Sequence, residues 1–134
     1  MSRTKITFLT VDDVMSLHDD SIAHEGGMAG LRDYGLLESA VIMPQAAFDG
    51  QYLHRGIAAM AAAYLFHICQ AHAFHDGNKR AAVISAIAFL KVNGHDLTAT
   101  NEELITLGLG VANGRLDKSD TTIWMRQFSR RAPG

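Results

Sequence analysis

Residues 72–82 read HAFHDGNKRAA, and this stretch gathers two histidines, an aspartate, an asparagine, a lysine and an arginine around one glycine between two apolar runs. Each residue type has a use at an anionic substrate. His72 can act as a general base, because the imidazole pKa of about 6.5 lies close to working pH. Asp76 supplies a hard oxygen ligand suited to Mg²⁺, the usual companion of a bound nucleotide. Gly77 permits positive φ and a close backbone approach, as a phosphate-holding nest requires. Lys79 and Arg80 add two positive side chains. Three readings are open at this point: a plain turn with Asp76 capping the next helix, a metal site, or a phosphate cradle. Spacing alone does not decide among them.

The elements that must position this stretch are helical. In RGIAAMAAAYLFHICQAHAF, the residues Ile57, Met60, Ala61, Tyr64, Leu65, Ile68 and Cys69 form a wide stripe and alanines fill most of the rest, the mark of a buried central helix. In NKRAAVISAIAFLKVNG, Val83, Ile84, Ile87, Ala88 and Leu90 repeat the pattern until Asn93-Gly94 stops it. With His72 ending the first helix and Asn78 starting the second, AFHDG lies at a helix N-terminus, where free N–H groups and the helix dipole favour an anion. Cations in that first turn do not help the helix, so Lys79 and Arg80 suggest a functional site.

Around this pair the punctuation is again helical. Thr10 and Asp13 form a capping box, with Val11, Val14, Met15, His18 and Ile22 on one face and Gly26-Gly27 as the stop. Leu36, Leu37, Ala40, Val41 and Met43 make a second short face ending near Pro44. Residues 45–54 read as a short flap or small hairpin through Asp49-Gly50. Thr100 and Glu103 cap a further helix that Asn113-Gly114 closes, and SDTTIWMRQFSRR reads as a last helix with Ile123, Trp124 and Phe128 inward, followed by a fraying APG. No other strand shows period-two alternation outside the start and the flap. The expectation is one all-α domain over residues 1–134, a helical bundle with a flap.

Composition limits the partners. The chain has 134 residues, 48% of them hydrophobic, with 12 basic against 14 acidic side chains. That balance gives no general field for nucleic acid or membrane. The single cysteine, Cys69, excludes an internal disulfide and reads as core packing. No signal-like or membrane-length apolar run is present, and the chain reads as soluble and cytoplasmic.

The motif itself closely resembles the signature of the Fic/Doc superfamily. The Fic branch reads H-x-F-x-[D/E]-G-N-G-R-x-x-R, and the Doc (death-on-curing) toxin branch ends in N-K-R. His72, Phe74, Asp76, Gly77, Asn78 and Arg80 match the shared positions. LHDDSIAHEGG, LRDYGLLESAV, the flap and AIAFLKVNGHDL also look Doc-like, the likeness weakening after about residue 100. The resemblance implies a Fic/Doc-type fold and a nucleotide-dependent transferase using ATP and Mg²⁺. His72 would then deprotonate a hydroxyl of a target protein, and Asp76 would hold Mg²⁺. Gly77, Asn78, Lys79 and Arg80 would hold phosphates, with Arg80 counted among the catalytic groups, while Phe74 would point inward and fix the loop.

Two departures from the Fic pattern bear on the chemistry: Lys79 stands at a Fic glycine and Val83 at the second Fic arginine. Lysine there would obstruct an α-phosphate subsite, and a γ-phosphate would lose a bidentate partner. The resemblance therefore implies the Doc reaction, phosphoryl transfer to a hydroxyl of elongation factor Tu that arrests translation, with Fic-type adenylylation as the alternative. It also implies a toxin–antitoxin module with a Phd-like antitoxin bound near the first helices and the flap. Two rivals stand beside this. The doublets His18-Asp19, His75-Asp76 and His95-Asp96, with His54 and His67 as extra ligands, could build an HD-type metal-dependent phosphohydrolase. A fold that binds without catalysis is the other.

Overall fold

A computed structural model describes residues 5–133. Helix α1 (Val11–Glu25) starts at the reciprocal Thr10/Asp13 box and stops at Gly26, whose φ is 84°. Helix α2 (Tyr34–Ile42) is capped by Asp33, and Pro44 sits buried in a 3₁₀ turn, Met43–Gln45, that prolongs it. The flap is a small antiparallel hairpin, β1 (Ala47–Phe48) with β2 (Gln51–Tyr52). Positive φ at both Asp49 and Gly50 is the turn type whose twist suits two short strands.

Helix α3 (Ile57–Ala71) is the central element, packed against α2, α4 (Asn78–Val92), α5 (Asn101–Ala112) and α6 (Lys118–Phe128). Nine of its fifteen residues are buried, among them four alanines, and this small-residue surface lets α4 approach closely. On α4 the buried face is Ala81, Ala82, Ser85, Ala86, Phe89 and Leu90. Val83, Ile84 and Ile87, expected inside, are instead half-buried along the groove shared with α5. The helix turns its small side toward α3 and its branched side toward α5, so both faces are used. Tyr64 and Phe89 join the two helices with ring centroids 4.9 Å apart, and the Tyr64 hydroxyl accepts the Leu9 N–H at 2.8 Å. Burial pushes the Tyr64 phenol up to about 12.

Four further expectations require correction. The last helix ends at Phe128, and residues Ser129–Arg131 form β4, paired antiparallel with β3 (His95–Leu97). Three-residue strands are too short to show alternation, and their pairing joins segments far apart in sequence. Ala132 is tied down rather than frayed, its N–H donating to the Gly94 carbonyl at 2.8 Å, whereas Gly134 lies outside the described residues. Ile123 is 64% exposed, because the inward stripe of α6 runs through Thr121, Trp124, Met125 and Phe128, and two residues beyond Thr121 a side chain faces away. Residues 5–10 form no strand; they cross the core edge, where Thr7 exchanges two hydrogen bonds with the Asn93 amide. No helix among the described residues is long and apolar enough to cross a membrane.

Candidate active site

The connection between α3 and α4 is built from inside outward. His72 ends α3 in the left-handed conformation, φ 49° and ψ 43°, which turns the chain sharply. That conformation costs a non-glycine residue about 1–2 kcal/mol. The Arg32 guanidinium offsets it by donating from Nε, at 2.9 Å, and from Nη2 to the His72 carbonyl. Ala73 and Phe74 are buried, and the Phe74 ring lies flat on the buried imidazole of His18 from α1, centroids 3.7 Å apart and planes within 9°. His18 Nε2 lies 2.7 Å from the Asp76 carbonyl, so Nε2 carries the proton and donates. Asn78 closes the loop by a paired contact with the backbone of one residue: its Oδ1 accepts the Phe74 N–H at 2.9 Å, and its Nδ2 donates to the Phe74 carbonyl at 3.0 Å. Its side chain is thus committed to loop shape, which leaves the backbone N–H as its donor toward a ligand.

A second segment, residues 26–33 between α1 and α2, wraps this loop. Arg32 and Asp33 N–H groups donate to the Ala73 carbonyl at 2.7 and 3.0 Å, and His75 N–H donates to the Gly30 carbonyl at 3.1 Å. Leu31 and Phe74 form an isolated antiparallel bridge. The Asp76 carboxylate accepts from Met28 N–H at 3.0 Å through one oxygen and from Gly77 N–H at 2.8 Å through the other. These two bonds, then the nearby Arg80, hold its pKa below the usual carboxylate value, so the exposed group is an anion with lone pairs left over. Gly27 makes the close approach possible: a Cβ there would meet Asp76 Oδ2 at 2.8 Å and Arg80 Nη2 at 2.9 Å, and its φ is +116°.

Helix α4 then starts at Gly77, φ 74°, with no side-chain cap, so its first-turn N–H groups are available. Asp76 therefore does not cap the helix; it faces the neighbouring segment. A cleft of about 450 Å³ is lined by His75, Asp76, Gly77, Asn78, Lys79 and Arg80. An anionic carboxylate, two cationic side chains and an uncapped helix start on one cleft fit a metal-bridged phosphate. Arg80 has a structural partner that its sequence position did not reveal: Nη2 donates to the Gly26 carbonyl at 2.9 Å, and Nη1 lies 3.4 Å from Glu25 Oε2. A cation misplaced at the start of α4 is thus well placed at the end of α1. Lys79 crosses toward α5, where a Cβ on Gly108 would meet its Cγ at 3.1 Å and its Cδ at 3.3 Å.

Of the expected site residues, Asp76, Gly77, Asn78, Lys79 and Arg80 line the cleft. Phe74 lies beneath it. His72 stands apart from that lining, exposed at the α3 terminus, and its ring makes no hydrogen bond among the described residues. Sequence reasoning missed the positioning residues His18, Gly27, Met28 and Arg32. Only His18 carried a signal, its place on the inward stripe of α1. The histidine–aspartate doublets do not converge: His18 is under Phe74, His95 Nδ1 meets the Asn93 carbonyl at 3.0 Å on β3, and no three His, Cys, Asp or Glu side chains among the described residues are grouped to hold a metal ion. Cys69 is buried in the core, and burial pushes its thiol up.

Comparison with known proteins bears on this geometry. The model of the Fic/DOC family matches residues 8–90. The chain is 30% identical over 120 residues to a protein named protein kinase doc from Escherichia phage P1, covering 90% of this chain and 94% of that protein. It is 42% identical over 92 residues to a protein named toxin Doc from Mycolicibacterium smegmatis, covering 69% of this chain and 68% of that protein.

Proposed function

The chain belongs to the Fic/DOC family, and on that premise we propose that it is a Doc-type toxin, a nucleotide-dependent protein kinase that transfers a phosphoryl group from ATP to a hydroxyl of elongation factor Tu. The observation that carries the reading is the preassembled cleft, in which the Asp76 anion, Lys79, Arg80 and the uncapped start of α4 share one wall. Asp76 would hold Mg²⁺ through the lone pairs that Met28 and Gly77 leave free. The N–H groups of Asn78, Lys79 and Arg80 and the two cationic heads would hold the phosphates. Bound ATP and its metal supply the transferable group and neutralise charge; positioning does most of the rest. His72, exposed at the edge of this region, would take the proton of the target hydroxyl. The left-handed turn braced by Arg32 fixes where its backbone starts.

The kinase name of the phage relative supports this branch over adenylylation. So does Lys79, which stands where the Fic pattern has glycine. The partner that restrains such a toxin is an antitoxin, for which we propose a Phd-like protein docking on the first helices and the flap, where Phe48 is 76% exposed and Leu53 60%. Incubation of the protein with elongation factor Tu and ATP labelled at either the α- or the γ-phosphate tests the reaction. Label transfer from the γ position alone is expected. Transfer from the α position would replace phosphorylation by adenylylation, and transfer from neither would remove this target.

A further inference from the structure

A second cluster of chemistry-bearing side chains lies away from the motif, where the end of the flap, α3 and α6 meet. Lys118 Nζ is 3.1 Å from His54 Nε2 and 3.2 Å from His67 Nε2. An ammonium has donors only, so both imidazoles turn an Nε2 lone pair toward the same point and carry their protons on Nδ1. Facing an ammonium, both rings take the neutral form, the direction in which burial first and then the Lys118 charge also push them. His54 is 8% exposed, and its Nδ1 is buried with no hydrogen-bond partner among the described residues. An unsatisfied buried N–H of this kind costs about 1–3 kcal/mol.

Two neutral imidazoles aimed at one cation are half of a transition-metal coordination sphere. The neutral form is the one a metal requires, since protonated ligands must first lose a proton. A metal–nitrogen bond is about 2.0–2.1 Å, so the rings need close by only about 1 Å once the ammonium leaves. Lys118 can leave: it is half-buried in the first turn of α6 and lines an open cavity of about 440 Å³ shared with His54, Arg55, Ser119 and Arg126. That opening admits the water ligands that two imidazoles leave to be supplied. Hard cations are poor candidates, because they take oxygen ligands, whereas imidazole suits the Zn²⁺, Co²⁺, Ni²⁺ and Cu²⁺ class. The cavity at the cluster shares no lining residue with the cleft at the motif.

We propose that His54 and His67 form a site for a divalent transition-metal ion of the imidazole-binding class, with Lys118 as the resident cation which that ion displaces. Occupancy would tie the base of the flap to α3 and release the tip of Lys118 into the cavity. Titration of the whole protein with Co²⁺, followed by NMR of the histidine ring signals, tests this. The expected result is that His54 and His67 are shifted or broadened first, at concentrations that leave His72 and His75 unaffected. Lys118→Ala should tighten the Co²⁺ dissociation constant by about tenfold or more, and His67→Gln should weaken it by at least about tenfold. Perturbation of His72 or His75 in place of this pair, or a Lys118→Ala affinity no tighter than that of the unaltered chain, would overturn the proposal. The ring signals are read on the unaltered chain, so that arm of the test does not depend on any variant folding.

Discussion

The motif loop and the His54–His67–Lys118 cluster solve the same electrostatic problem in opposite ways. In the loop, three polar groups have specific intramolecular partners: the His72 carbonyl has Arg32, the Phe74 N–H and carbonyl have Asn78, and the Asp76 carbonyl has His18. These contacts point inward, and the outward wall carries the uncapped start of α4. At the cluster, one ammonium serves two imidazoles and a buried Nδ1 goes without a partner, so the arrangement is cationic and incompletely paired. A fully satisfied network rigidifies what it holds, whereas a partly satisfied one can exchange its central ion. On the proposals above, the first region is a scaffold for chemistry and the second is a place where a cation can be replaced.

The difference can be attacked at its strongest point first. His72→Ala is expected to lower phosphoryl transfer by about 10²–10⁴-fold while leaving the melting temperature within a few degrees, because the ring is exposed and makes no hydrogen bond among the described residues. Transfer measured with γ-labelled ATP beside a thermal melt checks both halves, and a large loss of stability would mean that the ring is part of the scaffold. Phe74→Ala should do the reverse. Removing the ring stacked on His18 is expected to cost about 3–5 kcal/mol in a urea titration, and activity should fall only as the folded fraction falls or as the loop loosens. Gly27→Ala probes the clamp. Its methyl would meet the Asp76 carboxylate and Arg80 in a left-handed-side backbone, and a cost of about 1–3 kcal/mol with weakened Mg²⁺-dependent nucleotide binding is expected.

Smaller effects separate the second region. His67 has its pKa lowered from 6.5 to about 4 in the folded chain. The unfolded chain therefore binds a proton before the folded one does, and stability should fall as pH drops from about 6.5 toward about 4. Melting temperatures at several pH values across that window should show a shallower slope in His67→Gln, and an unchanged slope would assign the effect to other groups. The smallest change is expected from Gly108→Ala. It would press on the Lys79 stem at 3.1 Å and alter nucleotide KM while leaving stability within about 1 kcal/mol.

Most helices were legible because their signals are local. The Thr10/Asp13 and Thr100/Glu103 boxes and the Gly26 and Asn93 stops sit where the spacing puts them, since a capping bond spans three residues and needs nothing from the rest of the chain. The bounds His72 and Asn78 of the motif loop were legible for the same reason. The faces of α4 and α6 were less so. Periodicity marks apolar positions, but whether Val83 or Ala82 looks at α3, and whether Ile123 looks inward, depends on which neighbour comes closest. β3 and β4 were invisible because their pairing depends on two chain segments meeting after the helices pack.

By itself the sequence determined the motif and the types of group at the cleft, because Asp76, Gly77, Asn78, Lys79 and Arg80 are neighbours in the chain and a helix start orders them without help. It also determined that His18 faces inward, through helical spacing. Only the tertiary structure decided what those groups are free to do. Arg80 is shared with the end of α1, Asn78 is spent on the Phe74 peptide, and Asp76 is held ionised by a backbone N–H from residue 28. Likewise His54, His67 and Lys118 are far apart in the chain and become a cluster only where the flap, α3 and α6 touch. A hydrogen bond or a shared cation acts over about 3 Å, and contacts of that reach between distant segments exist only once the core has closed.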